Sequence, residues 1–268
     1  MKTLTWDEFR SGKAVMPIAA AIGVFDGLHI GHRELIRRVQ GRTGLSSAVI
    51  TFQENPKRIL SPESFRGELS TLEQKLSLVA SMGVDLCVLI DFSGDFSKLP
   101  GRQFLSMLRE SGDIRCLAVG SDFRCGFRLD TDAQDIREFC GERSIGVELL
   151  SAVRWAGHPV SSSRIRKAIL SGHLEDAALM LGRPYELDLR GARLSDSGRI
   201  AVMGGQTSPP PGLYEFSVFR GLEESLGTSG GIAELDPDGT WSLSPEVLSR
   251  TRDSFPVALR LFRKVSRE

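Results

Sequence analysis

Five short apolar runs, helical patterns between them and a change of texture near residue 185 predict an α/β fold, a parallel sheet covered by helices and followed by a small β-rich domain. The runs are Ile18 to Phe25, Ser47 to Phe52, Val84 to Ile90, Arg115 to Gly120 and Val147 to Val153. Each is short and uniformly apolar, which suits a buried strand better than a surface helix. After the first run, Leu35, Ile36 and Val39 recur at helical spacing. Ser70-Thr71-Leu72-Glu73 has the form of a capping box, Leu72, Leu76 and Val79 then share a helical face, and Gly83 sits at the expected stop.

Strand and helix alternate in this way to about residue 155, so the strands should be parallel and the helices should cover both faces of the sheet. That is a Rossmann-like arrangement, whose ligands bind at the carboxyl ends of the strands. Two more helices are expected at Ser163 to Leu170 and Leu174 to Leu181, separated by Ser171-Gly172 and ended by Gly182-Arg183-Pro184. The domain boundary is placed near Tyr185, giving domains of residues 1–185 and 186–268. Beyond it, alternating segments such as Gly212 to Phe219, broken by Gly, Pro and Ser, predict a small barrel-like β domain.

Lys+Arg and Asp+Glu both number 34, so the charge balance gives no bulk attraction to nucleic acid or to an anionic membrane. The amino terminus meets Lys2, Asp7 and Glu8 at once, unlike a secretory signal, and no run reaches the length of a membrane span. Cys87, Cys116, Cys125 and Cys140 form no Cys-x-x-Cys pair and read as reduced, mostly buried thiols of a cytoplasmic protein. Neither metal ligands nor an oligomeric state is set by the sequence.

The strongest chemical signal is Ala21-Ile22-Gly23-Val24-Phe25-Asp26-Gly27-Leu28-His29-Ile30-Gly31-His32, where the first strand gives way to the first helix. A helix amino terminus offers unpaired N–H groups and partial positive charge, both suited to phosphate. His29 and His32, three residues apart, can turn their rings into one space and donate to phosphate oxygens. Gly31 leaves room for a nucleotide against the backbone. Asp26, followed by Gly27, fits a turn former as well as a functional group. A second signal is Pro159-Val160-Ser161-Ser162-Ser163-Arg164-Ile165-Arg166-Lys167, whose hydroxyls can cap a helix and whose Arg164 can hold a departing pyrophosphate.

The chain resembles the bacterial bifunctional riboflavin kinase/FAD synthetase family, in its FMN adenylyltransferase module. Gly23-Val24-Phe25-Asp26-Gly27-Leu28-His29-Ile30-Gly31-His32 is similar to the family's Gly-Asn-Phe-Asp-Gly-Val-His-x-Gly-His. Thr51-Phe52-Gln53-Glu54-Asn55-Pro56 resembles Thr-Phe-x-Pro-His-Pro, and Val119 to Gly126 resembles Val-Gly-x-Asp-Phe-x-Phe-Gly. Val160 to Arg166 and Leu181 to Tyr185 are similar to Ile-Ser-Ser-Thr-x-Ile-Arg and Leu-Gly-Arg-Pro-Tyr. Departures are Val24 for Asn, Glu54 for Pro, Asn55 for His, and Thr131 where a Gly usually precedes the residue matched by Asp132.

The resemblance implies transfer of AMP from ATP to FMN, with Mg²⁺ accompanying ATP and FAD and pyrophosphate as products. It implies catalytic roles for His29, His32 and Arg164, and ATP binding by Gly23, Phe25, Asp26, Gly27, Gly31, Asp122, Ser162 and Ser163. Asn55 and Pro56 fall in the acceptor-binding segment. Transfer to another phosphate-bearing acceptor, or nucleotide binding without turnover, are the alternatives. The family's kinase module carries a Gly-Phe-Pro-Thr-Ala-Asn stretch, and between Leu189 and Tyr214 this chain has no counterpart. Residues 186–268 are therefore expected to be a reduced kinase-like β domain without riboflavin kinase activity.

Overall fold

The computed structural model describes residues 1–12, 14, 16–195, 199–202, 205–219, 229–243 and 258–266. The stretch from Leu189 to Tyr214 therefore lies partly outside the described residues, at 196–198 and 203–204. Two compact units form, one of Met1–Phe65 with Lys75–Pro159, the other of Arg66–Gln74 with Val160–Glu268.

The first unit opens with an unanticipated strand, β1 (Lys2–Thr5), and a five-residue helix, α1 (Trp6–Arg10). Only Leu4 of β1 is buried, so its sequence carries no apolar run to read. Thr5 caps α1, accepting from the Glu8 N–H at 3.2 Å while Glu8 accepts from the Thr5 N–H at 3.0 Å. There follow β2 (Ile18–Ile22), α2 (Ile30–Gln40), β3 (Ser46–Phe52), the single turn α3 (Lys57–Leu60), α4 (Leu72–Ser81, which belongs to this unit from Lys75 onward), β4 (Leu86–Ile90), α5 (Gly101–Ser111) and β5 (Ile114–Gly120). A short ribbon of β6 (Arg124–Cys125) and β7 (Thr131–Asp132) leads to α6 (Ala133–Gly141), β8 (Gly146–Leu150) and the hairpin β9 (Arg154–Trp155) with β10 (His158–Pro159).

Six strands make a parallel sheet in the order β1-β4-β3-β2-β5-β8. From β2 the chain moves to β3 and β4 on one side and to β5 and β8 on the other, so the topological switch lies between β2 and β5, where such sheets bind ligands. Every residue of β2 and β4 is buried, as expected where helices cover both faces. At the sheet's edge, β8 is only half-buried and ends at Leu150, shorter than the apolar run to Val153 suggested. Leu35, Ile36 and Val39 of α2 are buried as their spacing predicts. Cys87, Cys116 and Cys140 are buried and Cys125 is half-buried, all as free thiols.

The start of α4 corrects the sequence reading by one residue. Thr71, not Ser70, caps the helix, with its hydroxyl accepting from the Gln74 N–H at 3.3 Å and the Gln74 side-chain Oε1 accepting from the Thr71 N–H at 3.0 Å. The inward residues are correspondingly Lys75 and Val79, whereas Leu72 and Leu76 are half-buried.

The second unit contains α7 (Ser162–Leu170) and α8 (Leu174–Leu181), the latter ended by Gly182 at φ 70°, a left-handed cap that glycine adopts without steric cost. Its sheet consists of β11 (Tyr185–Asp188), β12 (Arg193–Leu194), β13 (Arg199–Ala201), β14 (Gly212–Phe219), β15 (Ser229–Leu235), β16 (Thr240–Ser242) and β17 (Ala258–Val265). The order is β11-β17-β14-β15-β16-β13-β12, antiparallel throughout. Along β14, Tyr214, Phe216 and Val218 point inward at the period of two that marks a strand with one buried face, and Tyr214 meets Trp241 edge-on at 5.6 Å. Among the described residues no helix is long and apolar enough to cross a membrane.

Candidate active site

The carboxyl end of β2 is built to turn sharply. Phe25, Gly27 and Leu28 take positive φ values of 53°, 76° and 39°, and the two non-glycine residues store strain there. Phe25 is fully buried, and the Thr51 hydroxyl donates to the Val24 carbonyl at 2.9 Å, tying this loop to β3. The turn delivers His29 to the cap position of α2, where its Nδ1 accepts from the His32 N–H at 3.3 Å. In the neutral ring that acceptor role leaves the proton on Nε2.

The rings of His29 and His32 stack with centroids 3.5 Å apart and an interplanar angle of 16°, and Phe25 meets His32 edge-on at 5.1 Å. The two histidines thus share one space, as the sequence suggested. Glycine serves these rings directly. A Cβ on Gly31 would stand 3.3 Å from the His29 ring, and one on Gly23 would stand 3.3 Å from the Phe25 ring. The room at Gly31 is taken up by His29, a use that the spacing alone did not reveal.

His32 is partly exposed, but its Nδ1 is buried with no hydrogen-bond partner among the described residues. Burial first, then the neighbouring His29 and Lys75, hold its pKa well below the usual 6.5. The folded protein therefore binds this proton more weakly than the unfolded chain does. The associated stability is fully present above about pH 6.5 and declines as pH falls toward the depressed value, by at most about 1.4 kcal/mol per pH unit. Denaturant midpoints at about pH 7.5 and about pH 5.5 should differ less in His32→Gln than in the parent. Equal losses in both proteins would contradict this assignment.

Beside the histidines, Asp26 is 3% exposed and accepts from the Asn55 Nδ2 at 3.3 Å. Asn55, itself 6% exposed, also accepts from the Lys57 N–H at 3.1 Å. Asp26 and Asn55 thus form a buried polar pair that spans the ends of β2 and β3. Pro56 follows it and precedes α3.

At the carboxyl end of β5, Asp122 is exposed in a turn closed by the Phe123 N–H to the Gly120 carbonyl at 3.0 Å. A Cβ on Gly120 would lie 2.9 Å from the Asp122 carboxylate, so the glycine lets that carboxylate fold back over the strand end. Residues after β2 and after β5 thus flank the topological switch. Thr131 has its own structural accommodation: it is buried opposite Gly101, where a Cβ would come within 2.3 Å of its hydroxyl oxygen. A glycine on α5 makes space for the larger residue.

Ser162, Ser163 and Arg164 belong to the second unit, in the first turn of α7. The cap is Ser161, whose hydroxyl accepts from the Arg164 N–H at 3.2 Å. Arg166, 8% exposed, donates from Nε to the Gly67 carbonyl at 2.8 Å and holds the 66–74 segment of the same unit.

One residue of the first unit escaped the sequence reading. Lys75 is 4% exposed, and its ammonium donates to the Phe52 carbonyl at 2.8 Å, at the end of β3. Its spacing of four from Val79 was the available signal, but a lysine is normally counted as an exposed position. Among the described residues no group of three or more His, Cys, Asp or Glu side chains could hold a metal ion.

A family model described as FAD synthetase matches residues 13–164. A bifunctional riboflavin kinase/FMN adenylyltransferase of Listeria monocytogenes is 31% identical over 238 residues, covering 84% of this chain and 74% of its own length. An FAD synthetase of the same organism is 25% identical over 223 residues, covering 80% of this chain and 89% of its own. A solved macrolide-efflux protein from Streptococcus pneumoniae shares the fold with a TM-score of 0.81 at 20% identity, covering all of this chain and 92% of that one. With the model matching more than half of the sequence and the motif blocks in their expected places, the chain belongs to the FAD synthetase family.

Proposed function

We propose that this protein is an FMN adenylyltransferase, which transfers the AMP of ATP to FMN and releases pyrophosphate. The observation that carries the reading is the stacked His29–His32 pair at the amino terminus of α2, beside the switch point of a parallel sheet. A terminal oxygen of the FMN phosphate attacks the α-phosphorus of ATP, forming the new P–O bond. The bond from the α-phosphorus to the bridging oxygen breaks, and that oxygen leaves with pyrophosphate. With a second phosphate pKa near about 6, FMN is largely dianionic at neutral pH and needs no base.

The protein's task is positioning and charge stabilisation. His29 and His32 contact the ATP phosphates, the neutral His32 acting as a polar ring and not as a cation. Gly23, Phe25, Asp26, Gly27 and Gly31 shape the ATP loop, and Asp122 serves the nucleotide from across the switch. Ser162, Ser163 and Arg164 grip the triphosphate, as the family resemblance implies. Asn55 and Pro56 form part of the acceptor loop, and Mg²⁺ would enter with ATP and would offset charge on its phosphates. The reaction belongs in the cytoplasm, without a nucleic-acid or membrane partner. A domain boundary near Tyr185 divides the chain by kind of element, and residues 186–268 lack riboflavin kinase activity.

The test supplies ATP, Mg²⁺ and a panel of phosphate acceptors, including pantetheine phosphate, nicotinamide mononucleotide and choline phosphate, and follows pyrophosphate. Release with FMN alone supports the reading. Release only with another acceptor, or none at all, overturns it.

A further inference from the structure

The end of β3 is held from two sides. On one, the Thr51 hydroxyl bonds the Val24 carbonyl of the loop that leads to Asp26; on the other, the buried Lys75 ammonium of α4 bonds the Phe52 carbonyl. The next residues, 53–56, carry Asn55 to Asp26 and supply the acceptors that order the following turn, the Asn55 Oδ1 for the Lys57 N–H and the Asn55 carbonyl for the Arg58 N–H at 2.8 Å. A buried ammonium is costly, and a position needed only for packing is served as well or better by an apolar side chain of similar volume. A lysine aimed at a backbone carbonyl beside the transfer residues therefore calls for a specific use.

We propose that Lys75 is a positioning residue for AMP transfer: by fixing the end of β3 it holds loop 53–56, and with it the Asn55–Asp26 pair, in register with the two histidines. Its charge also reaches His32, where it opposes protonation, consistent with a place at the edge of the reacting groups. The inference rests on the adenylyltransferase reading for its kinetic consequence and on geometry alone for its structural one.

Both consequences are measured on the full chain with Lys75→Met, Lys75→Gln and the parent. In Lys75→Met the amides of Lys57 and Arg58 should exchange with solvent about tenfold faster or more, while those of β2 and β4 keep their protection. The kcat for FAD formation should fall about tenfold or more, with KM for ATP changed by less than about threefold. Lys75→Gln keeps a donor for the Phe52 carbonyl and should lie between the two. It also decides the matter by the same readings should Lys75→Met not fold. The proposal is overturned if exchange at residues 57 and 58 and kcat both stay at parental values, or if protection is lost evenly across the sheet, the mark of a purely structural role. If the parent itself forms no FAD, the adenylyltransferase reading fails, and the exchange pattern still judges the placement of the loop by Lys75.

Discussion

Alanine at His29 or at His32 is expected to lower the rate of pyrophosphate release by about 10²- to 10³-fold, the scale of losing one donor to a charged transition state. The rings are stacked at 3.5 Å over the amino terminus of α2, so each substitution also disturbs its neighbour. His29 has a second duty as the cap of α2, and its removal should cost about 1 kcal/mol of stability. His29→Asn separates these duties, because asparagine is a good cap without an imidazole. That variant should keep parental stability and still lose turnover. Parental rates in His29→Asn and in His32→Ala would remove the pair from the reaction.

Riboflavin with ATP is expected to give no FMN, although a relative covered over 74% of its length is named for both activities. Phosphoryl transfer depends almost entirely on groups that position the nucleotide phosphates and cancel their charge. The Gly-Phe-Pro-Thr-Ala-Asn stretch that does this in the family's kinase module has no counterpart between Leu189 and Tyr214. What the second unit retains is a packed antiparallel sheet with Tyr214, Phe216 and Trp241 inside. Chromatography of reactions containing riboflavin and ATP checks this. FMN formed at a rate comparable with FAD synthesis from FMN would overturn it.

The core of the parallel sheet was legible because β2, β3, β4 and β5 are fully or nearly buried and their residues are correspondingly apolar. Edge positions were not: β1 buries only Leu4, and β8 is half-exposed, so apolar runs say little about where they begin and end. The His29–His32 pairing followed from local spacing, since a cap and the third residue of a helix face each other in any chain. Asn55 with Asp26, Gly101 with Thr131 and Lys75 with Phe52 join residues 23 to 30 positions apart, and no local pattern announces them. The shift of the α4 cap from Ser70 to Thr71 has a local origin instead. Both residues can cap, and Gln74 at the third helical position selects Thr71.

Movement of AMP from ATP to the phosphate of FMN can be followed through the fate of labelled phosphorus. With FMN, Mg²⁺ and ATP labelled at the α-phosphate, the label should appear in FAD, mole for mole with pyrophosphate. With ATP labelled at the γ-phosphate it should appear in pyrophosphate and never in a flavin. Label from the γ-phosphate in the flavin product, or α-label that stays out of the flavin while ATP is consumed, would rule out AMP transfer to FMN.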